Sequence, residues 1–235
     1  MIKLIQLEWK KNCIGKYIRN AVILAAVLTL FIFALAFFGI ANDPEMGIPD
    51  AAPENDTISA PIELFSSMSF LVFTGVMLAS FIVSAYKNKT MALMFSYPIK
   101  RQKILAAQML AVWIFNFTAL TLTKLLIYGC VFAGSRFMVS AFPLDYNMAA
   151  PSFYIQLLLK SVVTVTLGFF SLFVGLKAKS SKAAIVASVL LILLTQANIG
   201  DYTLAGNAGV MLALILASLG FAALSIANVE TKDLM

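Results

Sequence analysis

The sequence predicts an all-α, polytopic membrane protein with six transmembrane helices. Of its 235 residues, 61% are hydrophobic and 12% are charged, whereas soluble domains have about 45–50% and about 25%. The apolar residues gather in six runs, most of them as long as the roughly 20 residues that a helix needs to cross a bilayer. Because a segment in lipid must satisfy its own backbone hydrogen bonds, these runs are predicted to be helices.

Residues 1–19 are predicted to form a cytoplasmic helix that lies on the membrane surface, and residues 20–235 one six-span domain. Four residues give the first segment an apolar side: Ile2, Ile5, Trp9 and Cys13. Lys3 and Lys10 lie beside them, as is typical of an interfacial amphipathic helix. Two leucines interrupt the pattern.

The six predicted spans are Ala21–Ala41, Leu64–Tyr86, Ile104–Ala133, Ser152–Leu176, Ala183–Ile199 and Ala208–Ala227. The third is long. The fifth is short, because its residues reach only about 25 Å along a helix against a hydrocarbon core of about 30 Å. The segment after it contains Gly200, Gly206 and Gly209, and is predicted to be a hairpin that returns into the outer leaflet.

The basic residues predict the orientation. Of 17 basic residues, all but Lys124, Lys160 and Arg136 fall at the N-terminus, between spans two and three, between spans four and five, or in the tail. The positive-inside rule therefore predicts that both termini are cytoplasmic in a multi-pass membrane protein. The outer loops are acidic, with Asp43, Glu45, Asp50, Glu54, Asp56, Asp145 and Asp201.

The apolar octamer TMALMFSY, residues 90–97, lies between basic residues on the cytoplasmic side of spans two and three. The Thr90 hydroxyl can cap a helix N-terminus, and Pro98 excludes the residue before it from a helix. The octamer is thus predicted to be a helix of about two turns. Two interpretations stay open: it rests on the inner leaflet, or it fills a groove on a cytoplasmic partner.

The stretch YKNKTMALMFSYPIKRQKILAAQML resembles the loop between the second and third spans of type-2 ATP-binding-cassette (ABC) exporter permeases. The shared order is Thr, a short apolar run, Ser-x-Pro, a basic pair and an Ile-Leu pair. The overall plan also resembles that family, including the surface helix, the short fifth span and the charged tail NVETKDLM. Where many relatives have an acidic residue before this loop, this chain has Tyr86 and Lys87.

In that family the loop carries the coupling helix, which docks into the nucleotide-binding subunit. The resemblance implies this partner-binding role for Thr90, Met91, Leu93, Met94, Phe95, Tyr97, Pro98, Lys100 and Arg101. It also implies pairing with a second permease copy or a sister permease, in a bacterial plasma membrane. The cargo implied is a hydrophobic or amphipathic peptide, such as an antimicrobial or toxin peptide, and acidic outer loops favour cationic ones.

The chain is not predicted to be an enzyme. It has no G-x-x-x-x-G-K-[ST] motif, so ATP and magnesium would be bound by the partner ATPase, and this chain has no cofactor of its own. It has no histidine, and its cytoplasmic segments hold few acidic residues, which disfavours a metal site or a lipid-modifying enzyme. A stand-alone transporter or channel without an ATPase remains the alternative. Membrane lipids are expected contacts; nucleic acid is not.

Two lysines, Lys124 and Lys160, lie inside predicted spans, where charges are costly and often functional. They can extend to the outer headgroups. Alternatively, they line the substrate path and meet an anionic group of the substrate or Glu63, at the start of the second span. Lys124, Lys160 and Glu63 are therefore the candidate path residues.

Overall fold

A computed structural model describes residues 2–37, 58–87, 101–137, 146–195, 198–199, 202–203 and 208–231. Within these ranges the regular secondary structure is helical apart from one pair of two-residue strands. Four helices are long and apolar enough to cross a membrane, at Ile14–Ala36, Ser59–Val83, Gln102–Ser135 and Pro151–Lys177. Two more helices contain shorter apolar stretches, Ser181–Leu193 and Leu212–Ile226. The predicted helical membrane class is confirmed, with four membrane-crossing helices by length and composition.

The elements follow one another in the order α1 (Ile2–Lys11), α2 (Ile14–Phe37), α3 (Ser59–Leu78), α4 (Ser84–Lys87), α5 (Arg101–Phe137), α6 (Pro151–Lys177), α7 (Ser181–Thr195), β1 (Asn198–Ile199), β2 (Tyr202–Thr203) and α8 (Ala208–Thr231). A π-helical segment, Ala79–Val83, joins α3 to α4 without a break, and the Ser84 amide donates to the Ala79 carbonyl across it. The strands pair antiparallel, with Ile199 opposite Tyr202. This short pairing lies where the sequence predicts a hairpin.

The first helix ends at Lys11, earlier than the predicted bound at residue 19. The Asn12 amide donates to the Glu8 carbonyl and the Cys13 amide to the Lys10 carbonyl, which satisfies the last carbonyls of α1. Cys13 has a φ of 50°, so the chain turns there through the left-handed conformation that often ends a helix. Residues 14–19 therefore already belong to α2.

The described helices divide into two compact units. One comprises Met1–Ile14, Ser69–Phe117 and Val162–Met235, and the other comprises Gly15–Met68 and Thr118–Ser161. In the second unit, Phe31 on α2 and Phe65 on α3 meet edge to face, with 5.0 Å between ring centroids. Leu28, Ile32, Ile62, Leu120 and Ile127 form part of its buried core.

Close contacts between small residues hold the first unit together. A Cβ added to Gly75 on α3 would lie 2.6 Å from the Ser188 hydroxyl oxygen on α7. On α6, one added to Gly168 would lie 2.6 Å from a methyl carbon of Thr74. Small residues let membrane helices approach closely where hydrophobic burial cannot drive association. The contact of α3 with α6 and α7 therefore depends on having no side chain at these glycines.

We expect Gly75→Ala to lower the free energy of unfolding by about 1–3 kcal/mol, because the added methyl group overpacks this contact. Gly220→Ala is the matched control, since nothing lies within 4 Å of a Cβ at that position in α8. There the same change should stabilise the helix by about 0.5–1 kcal/mol. Thermal unfolding of both variants in detergent measures the difference. Equal unfolding temperatures would contradict the packing described here.

Candidate functional site

An ion pair lies within the second unit, between the second turn of α3 and a point beyond the middle of α5. The Lys124 ammonium nitrogen is 2.6 Å from Glu63 Oε2. The Lys124 side chain is 0% exposed, whereas that of Glu63 is 17% exposed. Of the two side chains, only that of Glu63 is partly exposed.

Tyr128 is the second contact of this carboxylate. It lies one helical turn after Lys124, so both side chains point from the same face of α5. Its hydroxyl donates to Glu63 Oε1 at 3.4 Å, while Lys124 donates to the other oxygen. The Tyr146 hydroxyl in turn donates to the Tyr128 carbonyl at 2.9 Å. Glu63 is therefore held through both of its carboxylate oxygens.

An aromatic cluster, Tyr128, Tyr146, Phe153 and Tyr154, adjoins the ion pair. Tyr128 meets Tyr146 and Phe153 edge to face, at centroid distances of 4.8 and 4.9 Å. Tyr146 and Phe153 stack at 5.7 Å. Tyr154 lies 5.3 Å from Phe153 and is 42% exposed. The charged pair thus has an apolar aromatic surface beside it, an arrangement that suits a ligand with a charged group and an apolar body.

The structure brings two of the three candidate path residues, Glu63 and Lys124, into direct contact. Lys160, on α6, is half-buried. The Lys124 ammonium is directed at Glu63 and fully enclosed by the chain, so it does not extend outward as a headgroup-seeking lysine would. That these residues line a substrate path stays a prediction.

The predicted coupling helix lies outside the described residues. Residues 88–100 contain all of its predicted members except Arg101, which opens α5 and whose side chain is also outside the described part. The helices on either side end at Lys87 and begin at Arg101. The partner-binding role of the octamer therefore stays a prediction.

A polar contact that the sequence does not reveal joins α1 to the first part of α5, within the first unit. Glu8 is buried, and its carboxylate accepts hydrogen bonds from Gln108 Nε2 and Asn12 Nδ2, each at 3.2 Å. The Trp9 indole donates to the Ala111 carbonyl at 3.1 Å. α1 is thus attached to a candidate membrane-crossing helix by side-chain hydrogen bonds.

Glu8→Ala is expected to weaken this attachment by about 1–3 kcal/mol, since it leaves the buried Gln108 amide with one partner fewer. The expected readout is faster trypsin cleavage at Lys10 and Lys11 in the detergent-solubilised protein. Lys11→Met is the control, because Lys11 is exposed and 3.8 Å from Glu8, and such pairs contribute little. If Glu8→Ala and Lys11→Met leave cleavage at Lys10 equally slow, α1 is held by other contacts.

Side-chain amides within apolar runs are a signal of contact between helices that the sequence analysis did not use. Gln108 and Asn116 lie eight residues apart in the apolar run of α5, and both are fully buried. Asn116 Nδ2 donates to the Val112 carbonyl and to the Met77 sulfur, on α3. A side-chain amide buried within a membrane-crossing helix needs hydrogen-bond partners of this kind. A Gln or Asn within an apolar run therefore marks a helix face that is turned toward other helices.

Among the residues that the structure describes, no group of three or more Cys, Asp or Glu side chains could hold a metal ion. The site therefore consists of one carboxylate, one or two ammonium groups and the aromatic cluster. Such groups can bind and exchange charged ligands by ion pairing and hydrogen bonding.

The chain is similar to a protein of Bacillus subtilis (strain 168) that bears the name "Uncharacterized protein YcbO". The two are 25% identical over 236 residues, which cover 99% of this chain and 100% of the relative. The likeness thus runs the length of both chains. No protein family model matches the chain, and no solved structure matches it.

Proposed function

We propose that this chain is the permease subunit of an ATP-driven exporter of the type-2 ABC kind, with six spans and both termini cytoplasmic. In this proposal, it pairs with a second permease and with cytoplasmic ATP-binding subunits, and moves hydrophobic or amphipathic peptides out of the cell or its membrane. A stand-alone transporter or channel is the alternative.

One observation carries the proposal: an apolar octamer set between basic residues, in the connection between two membrane-crossing helices. Lys87 ends α4 and Arg101 begins α5. The octamer at residues 90–97 is too short to cross a bilayer, which takes about 20 residues. An apolar helix on the cytoplasmic side needs a cover, and a groove on a partner subunit provides one.

The six-span topology is supported by the lengths of the last two helices. The 24 residues of α8 extend about 36 Å, which exceeds the hydrocarbon core of about 30 Å, although the apolar stretch Leu212–Ile226 covers only part of this length. The 15 residues of α7 extend only about 22 Å. The paired strands at Asn198–Ile199 and Tyr202–Thr203 follow it, as in a span completed by a hairpin.

The proposal requires a separate ATPase, because this sequence has no phosphate-binding loop of its own. The cargo class is supported by charge and composition. Acidic residues concentrate in the segments assigned to the outer face, which favours encounter with cationic peptides, and an aromatic cluster adjoins Glu63.

The test is purification of the tagged chain from native membranes in mild detergent. The expected result is a co-purifying soluble subunit whose sequence contains G-x-x-x-x-G-K-[ST]. Its ATP hydrolysis should rise when it is reconstituted with this chain in vesicles, and peptide should move only when ATP is present. Peptide movement by vesicles that contain this chain alone would instead establish the stand-alone transporter.

A further inference from the structure

The carboxylate of Glu63 combines three features that a structural ion pair does not need together. Both of its oxygens accept hydrogen bonds, from Lys124 and from Tyr128. Its side chain is 17% exposed although its cationic partner is 0% exposed. It also adjoins an aromatic cluster whose Tyr154 ring is 42% exposed. A cation that approaches the exposed part of this side chain therefore meets Glu63 before Lys124.

We propose that Glu63 binds an ammonium group of an amphipathic cargo, and that Lys124 occupies this carboxylate as a tethered competitor while no cargo is bound. A peptide lysine or amino terminus presents the same ammonium group that already lies 2.6 Å from Glu63 Oε2. The cargo ammonium takes over the charge-assisted hydrogen bond at Oε2, and the cost of leaving the enclosed Lys124 without its carboxylate is what this competitor imposes on cargo binding. The proposal specifies the cargo of the proposed exporter and rests on that function for its meaning.

The residues around the pair fit such an exchange. Tyr128 keeps its hydroxyl on Glu63 Oε1, so the carboxylate stays oriented when Lys124 leaves Oε2. The apolar body of the cargo can then lie against the aromatic cluster, where a neighbouring cation is also favoured by the ring faces.

Binding is measured with the full chain alone, in zwitterionic nanodiscs, so the result does not depend on any ATPase. The probe is a fluorescent amphipathic Leu/Lys peptide followed by anisotropy, and the matched probe has every lysine replaced by glutamate. Because a competitor that occupies the site lowers apparent affinity, Lys124→Met should bind the lysine probe about tenfold more tightly than the wild type. The double variant Glu63→Gln/Lys124→Met should not show this tighter binding of the lysine probe, although all its other acidic residues are unchanged.

The charge-exchanged variant Glu63→Lys/Lys124→Glu keeps an ion pair, so it tests the proposal even if single variants fail to fold. It places the ammonium group at position 63, where the side chain is partly exposed. This variant should therefore bind the glutamate probe in preference to the lysine probe. Equal binding of the lysine probe by all variants overturns the proposal, because the acidic loops or the lipid then hold the peptide. The proposal is also overturned if the charge-exchanged variant still binds the lysine probe in preference to the glutamate probe. It is overturned as well if Lys124→Met loses binding of the glutamate probe.

Discussion

Lys124→Met is expected to lower the free energy of unfolding by about 3 kcal/mol, while Glu63→Gln/Lys124→Met lowers it much less. Removal of one member of a buried ion pair leaves the other charge without its partner in a medium of low dielectric constant, at a cost of about 3–5 kcal/mol. The lower end applies here, because the Glu63 side chain is 17% exposed and keeps its contact with Tyr128. Removal of both charges avoids the penalty.

A double-mutant cycle measures this coupling. The wild type, both single variants and the double variant are unfolded thermally and with increasing SDS in the same detergent. Glu63→Gln should be the more damaging single change, because it leaves the fully enclosed Lys124 ammonium without its carboxylate. Additive effects of the two substitutions would show that the pair contributes no coupling energy.

The sequence allowed the charged residues of the site to be identified and raised a contact of Lys124 or Lys160 with Glu63 as one alternative, but it did not show which lysine makes that contact. Lys124 is conspicuous because it interrupts an apolar run, and Glu63 because it precedes one. Their contact depends on how α3 and α5 lie beside each other in the second unit, a tertiary arrangement that hydrophobic patterning does not encode. Tyr128 and Tyr146 join the site through the same packing; in the sequence, Tyr128 is one of many aromatic residues in a predicted span and Tyr146 lies in a predicted outer loop.

The helical class was predictable because a bilayer leaves few alternatives to a helix for a long apolar segment. The residues at which individual helices begin and end were harder to predict. The break between α1 and α2 falls at Asn12 and Cys13, where no Gly or Pro marks it, and side-chain hydrogen bonds from Asn12 to Glu8 help to end the helix. The buried contact of Glu8 was not predictable, because its partner Gln108 lies a hundred residues away in the chain.

Met94→Glu is expected to abolish the binding of the cytoplasmic ATPase that the proposed function requires. Met94 lies in the apolar octamer, and a carboxylate buried without a partner in an apolar groove costs several kcal/mol. A loss of about 4 kcal/mol weakens a micromolar complex to about the millimolar range. Co-purification of the ATPase subunit with the tagged variant measures the loss, and Phe95→Glu should behave in the same way.

Gln102→Glu is the matched control, since it adds the same negative charge just after the octamer, near the start of α5. The ATPase should still co-purify with it, because no apolar socket has to accept that charge. All three variants should reach the membrane at wild-type levels, since Met94 and Phe95 lie outside the membrane-crossing segments and Gln102 is the first residue of one. If the ATPase binds Met94→Glu and Phe95→Glu as strongly as wild type, the octamer is not the docking helix, and its apolar residues are better explained by contact with the inner leaflet.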